Sequence, residues 1–372
     1  MNPLWLTSIP QPDPLPQPAP GWLLWGLLLL TFFLHVLPMN FVLGGSIITA
    51  VARWRSRSHS AMHADTLTQW MAKAMPVAIA ATVTFGVAPL LFLQVLYGRL
   101  FFTSSILMAG FWLAVVPLLI VAYYAAYVVA FRGQRHSRWA GPLSWAMAIL
   151  FLAIGFIYVN NMSLMLRPER FVELYRADGR GLQLNLADPT LMPRYLHMVL
   201  GALAVAGAAI ALHGWVSRDR DPEFGNWAMR HGANWCAGAT ALNLVVGFWW
   251  LLAVPRPALV QLMTRVPVIA LFLGVAVGMV VLTLAVMTAR AADPLPHVKW
   301  LISGILITLM LMIITRDQVR SASLADSGFT PATWVEPQWG AIAVFGWLLV
   351  VGLATIGWMI GTLQSSQQHS RR

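Results

Sequence analysis

Cysteine and charge are the two things this sequence has least of. One cysteine, Cys236, stands alone in 372 residues, inside an apolar stretch. That excludes an internal disulfide and a C-x-x-C-H attachment site for a c-type haem, so any haem must be held without covalent bonds. Charged residues make up 10% of the chain against 59% hydrophobic, and the mean hydropathy is +0.70. That is too little polar surface for a water-soluble fold. The charges that exist fall between the apolar runs, as expected where lipid is the solvent.

The net charge of +11 is not read as a nucleic-acid signature, because the arginines gather at the ends of apolar runs, where they signal topology. The segment from Ile9 to Pro20 alternates proline with polar residues. It has neither a basic n-region nor a small-residue cleavage site, and reads as an extended lead-in rather than a signal peptide.

Apolar runs fall near Trp22–Trp54, Met71–Gly98, Phe101–Phe131, Trp139–Leu166, Tyr195–Trp215, Trp227–Val254, Val266–Ala289, Val298–Thr315 and Trp339–Leu363. Each is long enough to span a bilayer. The expected fold class is therefore an all-α integral membrane protein, with about nine transmembrane helices in one bundle over 21–364. Residues 1–20 form a Pro-rich extracytoplasmic lead-in and 365–372 a short cytoplasmic tail. Nine spans place the termini on opposite sides. The basic groups Arg53-Trp54-Arg55-Ser56-Arg57 and Arg132, Arg135, Arg138 orient the chain in a bacterial inner membrane with its N-terminus periplasmic and its C-terminus cytoplasmic. The longest connections, Arg167–Arg194 and Arg316–Gln338, then lie at the outer face.

Histidines sort by depth along their helices. His35 lies well inside the first run with no charge nearby, and Pro38 follows it. An unpaired intramembrane histidine is a candidate haem ligand, or else a hydrogen-bonder between helices. His197 lies about one turn inside the fifth run, with Gly201 one turn further on the same face. Small residues there either admit a porphyrin or serve close helix packing. His213, His231 and His297 fall near the inner ends of their runs and read as interfacial, although a second haem between them stays open; His59, His63, His136 and His369 are given no role. Methionine can share haem iron with histidine. By depth Met310, Met312 or Met263 could meet His197, and Met279 lies nearer the level of His35.

The stretch His35-Val36-Leu37-Pro38-Met39-Asn40-Phe41-Val42-Leu43-Gly44, with a glycine nine residues after the histidine, resembles the first helix of subunit I of the cytochrome bd-type quinol oxidases. Phe85-Gly86-Val87-Ala88 with Gly98 is similar to that family's second helix, where Gln94 stands in place of a glutamate. Asn160 to Phe171 resembles its N-x-x-M-x-x-P-x-x-F segment with one residue added after Asn161. His197, followed by a Gly/Ala-rich helix and Ser217-Arg218-Asp219-Arg220-Asp221, falls on the low-spin b-haem histidine. The likeness covers the chain to about residue 250. It implies a nine-helix membrane protein holding one or more b-type haems, with His35 and His197 as iron ligands.

Departures from that pattern bear on function. The long quinol-binding loop of the family shrinks here to Pro255–Leu262, the seventh-helix methionine ligand falls near Phe272, and Ile314 to Arg320 replaces a motif that carries a haem-ligating glutamate. No acid falls within any of the nine runs, whereas reduction of oxygen consumes protons that carboxylates usually relay. The expected function is a b-haem electron-transfer subunit of a respiratory complex. It would exchange electrons between membrane quinol and a periplasmic redox partner such as a c-type cytochrome, as a quinol-dependent oxidoreductase subunit. The haem supplies the redox chemistry, and quinol or quinone is the second candidate ligand. Arg167, Arg170, Arg194, Asp317 and Arg320 would lie near the outer face, available to haem propionates or a quinone head. The alternatives are a quinol:oxygen terminal oxidase with rearranged ligands and a transporter or scaffold without cofactor. Broken helices and buried charge would favour the transporter, and hydropathy predicts neither.

Overall fold

The computed structural model describes residues 16–55, 62–132, 139–264, 268–325, 327, 329 and 334–369. Residues 1–15 of the lead-in, the basic residues Arg57, Arg135 and Arg138, the histidines His59 and His136, and the last three residues of the tail lie outside them. The elements are α1 (Gly21–Arg55), α2 (Met62–Leu107), α3 (Ala109–Arg132), α4 (Ala140–Leu164), a 3-10 turn (Pro168–Arg170), α5 (Phe171–Ala177), α6 (Leu191–Ser217), α7 (Pro222–Ala253), α8 (Arg256–Thr264), α9 (Ile269–Arg290), α10 (Leu295–Leu324) and α11 (Trp339–His369). Among the described residues, α1–α4, α6, α7, α9 and α10 are each long and apolar enough to cross a membrane; α11 is a ninth long helix, apolar over Trp339–Gly352. Every described segment of regular structure is helical apart from one isolated bridge, as expected where hydrocarbon leaves the backbone no other donors or acceptors.

Lipid gives apolar helices no reason to prefer each other, so they associate where small residues let backbones approach. The α1–α6 crossing shows this. A Cβ on Gly44 would stand 2.1 Å from the Ala202 carbonyl oxygen. Further along α6, Gly207 meets Gly232 of α7 so closely that a Cβ on either would lie 2.3–2.6 Å from the other's carbonyl oxygen. Ile48, Leu67, Met71, Ala206, Ile210, Phe224 and Ala228 fill the space around these contacts.

Three boundaries differ from the hydropathy reading. The second run does not stop at Gly98: α2 continues to Leu107 across a break at Tyr97 (φ −130°, ψ 24°), and α3 begins only at Ala109. A straight helix of 46 residues would reach about 69 Å, over twice the ~30 Å hydrocarbon core. Beyond the break, Leu100, Phe101 and Leu107 pack with Leu164, Met165, Phe171 and Leu174 instead of meeting lipid. The eighth run does not stop at Thr315: α10 runs on to Leu324, so Arg316, Asp317 and Arg320 are helical. The short segment Pro255–Leu262 is not an open loop, because α8 occupies Arg256–Thr264.

The N-termini of α1 and α6 and the C-termini of α7 and α10 share one end of the bundle, called here the loop-rich end. The connection from Met165 to Thr190 is pinned there by a buried polar knot. Ser104 Oγ donates to Asn161 Oδ1 at 2.8 Å, the Asn185 amide to Asn160 Oδ1 at 2.9 Å, and Arg170 Nη1 to Asn185 Oδ1 at 2.7 Å. Only the end of the lead-in, residues 16–20, is described. It pairs with the segment before α11 through Gln17 N to Trp334 O and Glu336 N to Gln17 O, at 2.8 and 3.0 Å.

Candidate functional site

His35 sits ten residues, or about 15 Å, along α1 from Trp25 at the loop-rich end. Its Nδ1 lies 2.9 Å from the carbonyl oxygen of Thr82 on α2. A carbonyl only accepts, so Nδ1 carries the proton and Nε2 keeps its lone pair. The ring occupies space that Gly86 leaves empty: a Cβ there would be 2.9 Å from Cε1 and 3.0 Å from Nδ1. A backbone hydrogen bond that fixes the tautomer, with the other nitrogen free, is how metal-ligating histidines are usually held.

His197 is set differently. Its ring faces Gly247 of α7, where a Cβ would lie 3.4 Å from Cε1 and Nδ1. The main chain of Asn243 lies beside the ring without closing a hydrogen bond to Nδ1, and that nitrogen is buried with no partner. From the Gly44–Ala202 crossing, His35 lies about 13.5 Å and His197 about 7.5 Å along their helices. Both lie on the loop-rich side of it.

The remaining expected residues are placed as follows. Gly201 faces Asn243 Nδ2, which a Cβ would meet at 3.6 Å. Met279 is 52% and Met310 36% exposed, on the outer surfaces of α9 and α10, so neither side chain is enclosed with a histidine. The Met312 methyl lodges where Gly274 of α9 leaves room, and Met263 packs with Leu262, Val319 and Ala322. Phe272 is exposed. Arg320 is buried; it pairs with Asp317 at 2.9 Å and its guanidinium stands 4.9 Å over the ring of Tyr97.

Hydropathy did not disclose the charges buried around these helices. Asp317 accepts a 2.6 Å hydrogen bond from Trp25 Nε1 and is itself buried. Arg316 stands 4.5 Å over the ring of Phe32, which lies 6.2 Å from His35, and its charge is felt at that imidazole. Buried charge and a broken helix are therefore both present, at the loop-rich end, where acids and arginines largely pair. Gly86, Gly247, Thr82, Trp25 and Arg316 are neighbours that no run of sequence announced as such; a glycine on a partner helix near each histidine's depth was the available signal.

At the opposite end, His213 stacks on Trp70 (3.9 Å between ring centroids, 7° between planes) and His231 on Trp227 (4.6 Å, 11°). His231 Nε2 accepts from Trp235 Nε1 at 3.2 Å, and His213 Nε2 lies 3.5 Å from Ser217 Oγ. Each Nε2 thus has a polar neighbour on its own helix and each ring a tryptophan against its face. Among the described residues no three His, Cys, Asp or Glu side chains are grouped to hold a bare metal ion.

No family model and no curated protein matches the chain. Among solved structures it is similar to the bd oxidase from Geobacillus thermodenitrificans, with a TM-score of 0.70 and 12% identity, over 92% of this chain and 98% of that one. Nearly the whole of both chains superposes. The fold is bd-oxidase-like, in a chain with eight helices long and apolar enough to cross a membrane among its described residues. Identity this low carries the architecture and leaves the ligands to be argued from this chain's own residues.

Proposed function

We propose that this chain is a b-haem electron-transfer subunit that passes electrons between membrane quinol and a redox partner at the outer face, such as a c-type cytochrome. The single observation that carries the reading is the His35 imidazole. It is tied at Nδ1 to Thr82, seated on Gly86, and presents Nε2 within a bd-oxidase-like bundle. These features fit a haem ligand better than a packing hydrogen-bonder, which would have no need of a bare glycine against its ring. His197 fits less completely, because the Asn243 main chain beside its ring closes no hydrogen bond of good geometry to Nδ1.

When bound, haem supplies one-electron chemistry whose potential depends on axial ligand, burial and neighbouring charge. The chain's own contribution is to hold the imidazole in one tautomer against Gly86 and Phe32, and to place the positive charge of Arg316 where it would act on a group held there. The loop-rich end is assigned to the outer face, by the basic bias of the opposite loops. Electron passage is preferred to oxygen reduction because the one buried acid of α10, Asp317, is committed to Trp25 and Arg320 and is not available as a proton relay.

The test is a reduced-minus-oxidised spectrum of the purified protein, followed by quinol-dependent reduction of an added c-type cytochrome and by oxygen uptake with quinol. The reading requires a b-type band and cytochrome reduction. Oxygen uptake as the main electron sink would replace it with a terminal oxidase.

A further inference from the structure

The loop-rich end holds a cleft that carries two of the arginines offered above to haem propionates or a quinone head, Arg167 and Arg194. It lies between the start of the 165–190 connection, the beginning of α6, the α7–α8 corner and the last turn of α10. Arg167, Glu169, Asp188, Thr190, Arg194 and Ser323 give it polar walls around about 60 Å³ of open volume. Leu166, Val254, Ala258 and Val319 complete it with an apolar side.

Most of the charge there is matched. Arg167 reaches Asp188 at 3.5 Å and Glu169 at 3.7 Å. Asp188 is also saturated by the Thr190 amide and hydroxyl at 2.9 and 2.8 Å and by Asn185 Nδ2 at 3.2 Å. Arg194 is not matched. Its Nε is buried with no acceptor, its guanidinium stands 5.9 Å from the centroid of Trp250, and the indole Nε1 of Trp250 is likewise buried without an acceptor. Arg194 feels the negative charge of Asp188 and, against it, the positive charges of Arg167 and Arg320. A buried donor left unmade on a charged group is costly, and an acceptor oxygen brought into the cleft by an anion offsets that cost.

Size and position narrow the anion. The volume is several times the ~10–15 Å³ that one water needs on the same measure and below the ~300 Å³ of a site that encloses a drug-sized ligand. That admits one oxyanion group. The cleft opens at helix ends, the level at which headgroups sit and basic side chains meet anionic lipid, and its apolar side suits what continues from a headgroup. We propose that this cleft binds a phosphate oxyanion through Arg194 and Arg167, with a phospholipid headgroup and free phosphate as the two sources of that chemistry. The inference rests on the arginine geometry alone and holds whether or not the haem reading does.

The test uses the full chain in detergent and reads thermal unfolding, which a bound ligand raises according to its concentration over Kd. The probes are phosphatidylglycerol in mixed micelles against phosphatidylcholine, and inorganic phosphate against chloride at equal ionic strength. Wild type should respond to phosphatidylglycerol or to phosphate with an affinity about tenfold or more above that of Arg194→Gln, as expected for loss of a charge-assisted bond. Arg194→Lys should fall between them. Ser323→Leu, which keeps every arginine and fills the cleft, should show the same loss and covers the case in which Arg194→Gln does not fold. A response to phosphatidylglycerol alone assigns the headgroup, and an equal response to phosphate assigns the free ion. Identical titrations of wild type and the folded variants with both probes overturn the proposal.

Discussion

The imidazole of His35 donates from Nδ1 to the carbonyl oxygen of Thr82 at 2.9 Å and lies flush against the helix face that Gly86 leaves bare. The two residues belong to neighbouring helices, so the ring is fixed by tertiary packing and not by its own backbone. Its place depends on one absent methyl group.

Gly86→Ala should therefore act on His35 directly. The new Cβ would stand 2.9–3.0 Å from the ring, and overpacking of this kind costs about 1–3 kcal/mol or moves the side chain. We expect haem content to fall by half or more in a pyridine haemochrome assay. Gly98→Ala, whose Cβ would meet only the flexible edge of Phe102 at 3.4 Å, should retain it.

At His197 the room is slightly greater, since the Gly247 Cβ would lie 3.4 Å away. Gly247→Ala is expected to leave haem content near wild type while shifting the band position, and Gly247→Leu to displace the ring. Equal effects of Gly86→Ala and Gly247→Ala would show that the two histidines are seated alike.

The Trp25–Asp317–Arg320 group couples α1 to α10. Trp25→Phe removes one donor and should lower stability by about 1–3 kcal/mol. Asp317→Asn strips Arg320 of its buried counter-charge and should cost more, about 3–5 kcal/mol. Thermal unfolding in detergent orders the two; a milder Asp317→Asn would mean that the pair contributes little.

The α1–α6 crossing tolerates no Cβ at Gly44, which would stand 2.1 Å from a backbone oxygen. Gly44→Ala should force the helices apart and destabilise by about 3 kcal/mol or more, at the upper end of overpacking costs. Gly346→Ala on α11, with no other atom within 4 Å, is the matched control and should be neutral or slightly stabilising.

Much of this architecture was legible in sequence because hydropathy over about 20 residues reports spanning length directly. It failed where polarity and helicity part company. Past Thr315 the side chains turn charged, yet α10 continues to Leu324, since Arg320 and Asp317 pair one turn apart and Trp25 supplies a donor from another helix. At Gly98 the reverse occurred, and a glycine that reads as a boundary lies just past a bend inside α2. The site was legible only in part. Depth singled out His35 and His197, but Gly86 is 51 positions from His35, and no local pattern pairs them. Exposure of Met279 and Met310 likewise depends on how α9 and α10 rotate, which their apolar sequences leave unmarked all the way round.

The central claim is that His35 holds a haem. The most direct measurement is the reduced-minus-oxidised difference spectrum, with haem quantified per chain, of wild type and His35→Ala expressed with haem supplied. We expect a b-type band in wild type and the loss of one haem equivalent in the variant, with the protein still folded. A wild type without any b-type band, or a folded His35→Ala with unchanged haem content, would contradict it.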